Sequence, residues 1–494
     1  MYPFGMNCGE ILMGSLLNIT KQKKKAMIKE RSKYLLVLVS VLLSVTCMAG
    51  DSTHHVLTKD DFINIVKQYH PIAKQADLQV ERATANVQQS RGVFDPEIGT
   101  TLDRKTFDGK LYYSYFKPEL TIPTWYGIDL KAGVEEIVGS RVSPESTLGQ
   151  TSYIGVKVPA NQLLFDKRRA TLRQAQALQQ QTAEERKLAV NNLLYDGLAA
   201  YWNWVEKYCS YRIISSAVAV GEERVRFVKL EFEQGLRPAI DTVEAITQLQ
   251  TFSFQESVMQ LAFRNAGMEL SNYLWLENNS PAEWSDMILP DTTDFDKAAT
   301  SIPDLNALLS ALDMHPKLRS INYKMDILEI DKRLKAQSLM PKLSLSGNIL
   351  SKGYNYPQEL NLPLLENNHK VGFSFAMPLF LRDARGAYSA AKLKIFETDL
   401  DRNNTRLQIE NKTRSYYNEL LAVRQQLNIM TSTNTNFIKL YQGERLKFET
   451  GESSLFLLNA RQSKVLETAQ KLIELKAKWQ KAYVSLLWAS ATLY

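Results

Sequence analysis

The run VGFSFAM (Val371–Met377), with the chain that follows it, decides the fold. Val371, Phe373, Phe375 and Met377 place large apolar side chains on one face of a strand. Gly372, Ser374 and Ala376 leave the opposite face small or polar. A barrel strand with lipid outside and a wet lumen inside has this pattern. A half-buried strand of a soluble sheet has the same period, so alternation alone leaves both open. Just beyond it, the whole of Ala384–Thr450 runs without a proline.

Outward from this stretch the pattern recurs. Upstream, Leu343, Leu345 and Ile349 alternate with Ser344, Ser346 and Asn348, and a polar, turn-rich link (352–369) joins the two segments. In the first half, Ile98, Thr100 and Leu102 share one face, as do Ile154, Val156 and Val158. The link between these, about 106–150, is longer and holds two more strand-like stretches, Leu111–Leu120 and Tyr126–Val134, which read as an extended hairpin. Asn161–Gln234 is then a second long run without proline. A continuous helix of about 70 residues would be roughly 105 Å long, with Gly197 and Gly221 as candidate breaks that would give two stacked helices. A mean helix has about 11–12 residues, so rods of this length must bury their apolar stripes on one another in a coiled-coil-like bundle. Gly235 and Gly451 suit the C-terminal stops, and return helices are expected over 241–276 and 454–492.

The halves repeat. His70-Pro71 precedes Pro96 as His315-Pro316 precedes Pro341, at the same separation in both, and Phe232-Glu-Gln-Gly235 pairs with Phe448-Glu-Thr-Gly451. The spacing predicts a tandem duplication, about 51–278 and 304–494, with 279–303 as linker.

Composition narrows the class. At about 150 residues per domain the 494 residues suggest three domains before the repeat is noticed. With 45% apolar and 23% charged residues, the chain is neither disordered nor a bundle of membrane helices. Three distant cysteines (Cys8, Cys47, Cys209) argue against a disulfide scaffold or zinc site. The +7 charge is too diffuse to imply nucleic-acid binding. The basic stretch 21–33 followed by the apolar run Tyr34–Val45 reads as a secretory signal within 1–49, cleaved near Ala49. Lipidation of Cys47 is the alternative, and Met27 would start a signal of ordinary length. No GxxxxGK[ST], HExxH or GxSxG occurs, so neither an enzyme nor a cofactor is expected.

Two to four strands per half cannot close a barrel, and open edges in lipid cost several kcal/mol per unpaired group. Copies must therefore combine. At this point the signal, the duplicated helix–strand–strand–long-helix halves and the segments GLRPAIDTVEAITQLQ (235–250) and GESSLFLLNARQSKVLE (451–467) resemble the TolC family of outer-membrane efflux and secretion channels across 51–494. The resemblance implies a mostly α fold with a transmembrane β-barrel sector: a homotrimer with twelve barrel strands and a long periplasmic α-helical barrel. It further implies an outer-membrane location, contact with outer-membrane lipid, and coupling to a periplasmic adaptor and an inner-membrane transporter, for drug efflux or type I secretion.

The family's gate lies at the periplasmic tip. By resemblance Asp241 falls on an acidic gate position six residues after the first turn glycine, and Phe448 where the gate can use a tyrosine. Ser453 and Leu457 replace the gate's arginine and acid at the second turn, leaving Arg237 to supply the cation. The plain reading of Asp241 and Glu244 is a capping box, and of Ser453 or Ser454 an N-cap. Adaptor docking is expected around Phe232–Asp241 and Phe448–Asn459, taking in Gly235 and Gly451. Trp202, Trp204, Trp479 and Trp488 read as helix-packing core, and some of Tyr112, Tyr113, Tyr115 and Tyr126 as a membrane-surface belt. The competing reading is a periplasmic coiled-coil adaptor or structural protein with soluble β-domains.

Overall fold

The structure, a computed structural model, describes residues 55–143, 146–147, 149–159, 165–285, 287–296, 302–352 and 368–494. The expected signal (1–49, with Met27 and Cys47) and most of the 352–369 link lie outside the described residues. Val56–Tyr494 is one unit.

In both halves of the chain a His-Pro pair starts the helix that leads into the sheet. Helix α1 (Lys59–Tyr69) ends at His70, which caps α2 (Pro71–Arg91). The Nδ1 of His70 accepts the Ile72 N–H at 3.2 Å, and Pro71 sits at the first turn, where its missing N–H costs nothing. The second half repeats this: His315 caps α5 (Pro316–Gln337), its Nδ1 accepting the Lys317 N–H at 3.1 Å.

Six strands form one antiparallel sheet in the order β1 (Glu97–Phe107), β2 (Lys110–Pro123), β3 (Asp129–Val138), β4 (Gly149–Pro159), β5 (Lys342–Lys352), β6 (His369–Ala376). The long first-half link is thus the outer parts of β1 and β4 plus the whole hairpin β2–β3, a full member of the sheet. Twelve strands in three copies would need four per copy; this sheet has six. The extra pair is the β2–β3 hairpin, placed between β1 and β4.

Register shows which side chains share a face. Ile98 lies opposite Leu120, Leu120 opposite Ala132, Ala132 opposite Ile154, and Ile154 opposite Ile349. In the neighbouring row, Ile122 meets Leu130, Leu130 meets Val156, Val156 meets Gly347, and Gly347 meets Val371. Leu345 meets Phe373 and Leu343 meets Phe375 on the same face. Most of these large apolar side chains stand exposed, from Ile122 at 37% to Ile98 at 81%, while Leu120 and Leu343 are half-buried. The other face is polar: Lys117 pairs with Glu135 at 3.5 Å, Lys131 pairs with Glu119, and the Tyr153 hydroxyl donates to Glu119 at 2.6 Å. Ser344, Ser346, Asn348, Gly372 and Ser374 continue it. Among the tyrosines, Tyr113 and Tyr115 stack on this polar side at 4.9 Å between centroids, and Tyr112 sits at the bulge where the β1–β2 register shifts. Tyr126 sits in the β2–β3 turn beside Trp125.

The rods are continuous. Helix α3 (Lys167–Glu233) has 67 residues and α6 (Arg382–Glu449) has 68, each roughly 100 Å at the usual rise. Gly197 and Gly221 do not break α3. They let other helices approach: a Cβ on Gly197 would lie 3.3 Å from Phe62, and one on Gly221 3.2 Å from Leu249. The return helices are α4 (Ala239–Ser271), which begins and ends earlier than its expected span, and α7 (Leu455–Ala489), slightly shorter than its own. Mid-rod, Phe62, Leu194, Leu198, Tyr201, Trp202, Trp204, Phe263 and Leu270 form the main core. A second cluster joins α6 to α7 through Leu420, Val423, Trp479 and Leu486. Trp202, Trp204 and Trp479 are core, as the sequence suggests; Trp488 is half-buried, stacked on Tyr195 at 4.6 Å with the Lys412 ammonium 3.8 Å from its ring centre. Among the described residues no helix is long and apolar enough to cross a membrane, which leaves the sheet untouched as a spanning element.

Candidate functional site: the helical tip

The two rods turn back at the end remote from the sheet, and both turns use one backbone device. At the first, Gly235 has φ +74°, its N–H bonds the Phe232 carbonyl at 2.9 Å, and the Leu236 N–H bonds the Glu231 carbonyl at 2.9 Å. At the second, Gly451 has φ +79°, its N–H bonds the Phe448 carbonyl at 3.2 Å, and the Glu452 N–H bonds the Lys447 carbonyl at 2.8 Å. The left-handed residue lets the last carbonyls of each rod find donors, and only glycine adopts it without a Cβ penalty.

The side chains differ. Helix α4 is capped by Pro238, which offers no side-chain acceptor, so Asp241 lies inside the first turn and the capping-box reading fails there. Asp241 instead accepts from Arg237 at 3.4 Å. Arg237 also pairs with Glu231 at the end of α3, and its guanidinium carbon lies 4.0 Å from the centre of the Phe448 ring on the other hairpin. That last contact joins the two hairpins by cation–π attraction. At the second turn Ser454 is the N-cap of α7, accepting the Leu457 N–H at 3.3 Å, while Ser453 donates to Glu444 at 2.6 Å.

Two helical turns or more back from the glycines, a polar cluster joins four helices. Arg224 of α3 donates to Asn459 of α7 at 2.7 Å, to Gln462 of the same helix, and to the Tyr441 hydroxyl of α6 at 3.2 Å. Asn459 passes the link on, donating to Glu244 of α4 at 3.1 Å. Burial depresses the Arg224 pKa, yet a guanidinium keeps its charge in such a site. Val225, Val228, Ala245, Phe448, Leu455 and Leu458 pack beneath these groups.

The structure therefore brings Arg237, Asp241 and Phe448 together, Glu244 to Asn459, and Ser453 to Glu444. Phe232, Gly235 and Gly451 join no such contact, and Phe232 is exposed. Arg224, Tyr441, Gln462 and Glu444 escape a sequence reading because they lie two to four turns from the glycines and meet only once the rods are packed. Around them the tip shows solvent an apolar set, with Leu236, Ile240, Val243 and Phe456 all exposed. Among the described residues no cluster of His, Cys, Asp or Glu is placed to hold a metal.

Residues 307–491 match the outer membrane efflux protein family. The fold is TolC-like. The outer-membrane channel CmeC of Campylobacter jejuni superposes with a TM-score of 0.60 at 14% identity, over 88% of this chain and 86% of that one. VceC of Vibrio cholerae gives 0.60 at 13%, over 87% and 95%. The open state of the MtrE channel of Neisseria gonorrhoeae gives 0.60 at 12%, over 87% and 88%. No curated protein matches the chain. The family match takes in well under half of the chain, and the superpositions, at 12–14% identity, show that the fold is that of outer-membrane efflux channels. In the TolC-like frame the six-stranded sheet is the barrel sector and the paired rods belong to the helical barrel.

Proposed function

We propose that the chain is the passive outer-membrane exit duct of a tripartite efflux or type I secretion system. Three copies close one barrel and one helical tube, and the chain is a tandem duplication, about 51–278 and 304–494 joined by 279–303. Transport energy comes from an inner-membrane transporter, and a periplasmic adaptor docks on the tip grooves around Phe232–Asp241 and Phe448–Asn459. The chain performs no chemistry of its own.

The observation that carries this reading is the apolar face that extends across all six strands and is largely exposed in a single copy. Fully exposing such a face to water is unfavourable at about 25 cal/mol per Å², whereas hydrocarbon covers it without loss. A soluble adaptor would have no use for it. The rods add a second bare seam: Leu393, Phe396, Leu400 and Leu407 of α6 recur at coiled-coil spacing and are all more than half exposed. Neighbouring copies would cover them.

At the tip, Arg237 with Asp241 and Phe448 supplies the latch. Holding one hairpin against the other through a half-buried cation keeps the iris narrow until the adaptor engages the exposed apolar rim. Single-channel recording in planar bilayers tests this. Asp241→Ala and Arg237→Ala are each expected to raise conductance several-fold with melting temperature little changed. Unchanged conductance with a lowered melting temperature would reduce these residues to turn stabilisers.

A further inference from the structure

We infer that the barrel built on this sheet has eighteen strands, six from each copy, with the β2–β3 hairpin inserted in the lipid-facing wall. This rests on the proposed three-copy assembly. Four observations place the hairpin in the wall. Strand β2 bonds β1 on one side and β3 on the other, and β3 bonds β4, so the hairpin interrupts no ladder. Its apolar side chains Phe116, Leu120, Ile122, Leu130 and Val134 lie on the face that carries Ile98, Ile154 and Phe373. A hairpin standing in water would show polar residues there. Its own turn lies at the helical end: Trp125 meets Phe94, just beyond α2, at 5.3 Å between ring centres, and Asp129 at the start of β3 pairs with Arg168 at the start of α3 at 2.7 Å. The hairpin strands have 14 and 10 residues, enough to span hydrocarbon, which takes about 9–11.

The edges fit the count. The free edges of the sheet are β1 and β6. Strand β1 leaves α2 and runs away from the helices, and β6 runs back into α6. The β6 of one copy laid beside the β1 of the next therefore continues the antiparallel alternation, with the apolar face outward on both.

Barrel diameter grows in proportion to strand number. With strands about 4.8 Å apart and tilted about 40°, eighteen strands give a backbone diameter of about 36 Å, against about 24 Å for twelve. The outer section is then half as wide again, lined by the opposite charges of Lys117, Glu119, Lys131 and Glu135, and the tip is the section that limits cargo size.

Three measurements on the full-length detergent-extracted protein test the inference. Single cysteines at Leu120, Val134 and Phe373, labelled with an environment-sensitive dye and reconstituted with bromine-labelled phospholipid, report lipid contact. Equal quenching at all three is expected; quenching at Phe373 but at neither Leu120 nor Val134 would put the hairpin outside the wall and overturn the inference. Thr101→Cys combined with Gly372→Cys or with Ser374→Cys should give oxidised covalent dimers and trimers, and the absence of both would overturn the β1–β6 closure. Averaged end-on electron micrographs of the unmodified protein, which need no variant to fold, should show the wider, eighteen-strand ring; a ring of twelve-strand width would overturn the count. The mass of the particle separately reports copy number: a number other than three defeats the assembly, while the quenching still decides whether six strands face lipid.

Discussion

The two turns at the tip share a backbone and differ in nearly everything attached to it. Both close on a left-handed glycine with the same pair of amide bonds. Phenylalanine stands three residues before each, yet Phe232 is 44% exposed and Phe448 only 5%. The first turn concentrates charge in Arg237, Asp241 and Glu231, while the second supplies the ring that Arg237 covers and a serine cap. The first turn thus supplies the cation and the second the ring, and neither makes the contact alone.

The largest test of this contrast sets the two phenylalanines against each other. Phe448→Ala removes a buried ring from the cluster of Val225, Val228 and Leu455 and should cost about 3–5 kcal/mol. Phe232→Ala should change stability by no more than about 0.5 kcal/mol. Hydrogen exchange of the tip amides measures both, and equal losses would break the comparison.

A second contrast lies with the histidine caps of the two halves. Burial lowers the pKa of both, and takes His315 down to about 4. With the folded value below the unfolded value of about 6.5, each ring contributes stability that is complete above pH 6.5. That stability is lost as pH falls toward 4, because a proton on Nδ1 displaces the N–H it accepts. Thermal melts should therefore fall from pH 7.5 to pH 5. His315→Asn, which keeps a capping acceptor without a titrating ring, should flatten the fall more than His70→Asn does. A steeper fall in His315→Asn would contradict the assignment.

Smaller and symmetric effects should follow from the shared backbone. Gly235→Ala and Gly451→Ala each meet open space around the new Cβ, so only the left-handed strain counts, about 1–2 kcal/mol in both turns. A marked asymmetry in urea unfolding would mean that the turns are not the same device. The smallest concerns the caps. Ser454→Ala should lose about 1 kcal/mol, while Pro238→Ser, which offers α4 the side-chain acceptor it lacks, should gain a few tenths.

Much of this was legible in the residues. Alternation in Val371–Met377 and proline-free runs before Gly235 and Gly451 are local signals, and local signals specify strands, rods and turns. The strand-like stretches Leu111–Leu120 and Tyr126–Val134 were equally visible, but their place inside the sheet depends on pairing with β1 and β4, which no spacing encodes. Continuity of α3 through Gly197 and Gly221 was likewise hidden, because the reason for those glycines is the approach of Phe62 and Leu249. At the tip, Asp241 looked like a cap because Glu244 follows it. Pro238 took the cap position instead, and Asp241 was left to Arg237. The bridge through Arg224, Tyr441 and Gln462 had no sequence signature, since its members come from three helices.

The most direct test of the exit-duct reading is the behaviour of the wild-type protein on extraction. Membranes from expressing cells should release it only with detergent, and the purified particle should have the mass of three copies by native mass spectrometry. Release into buffer as a water-soluble single copy would contradict it.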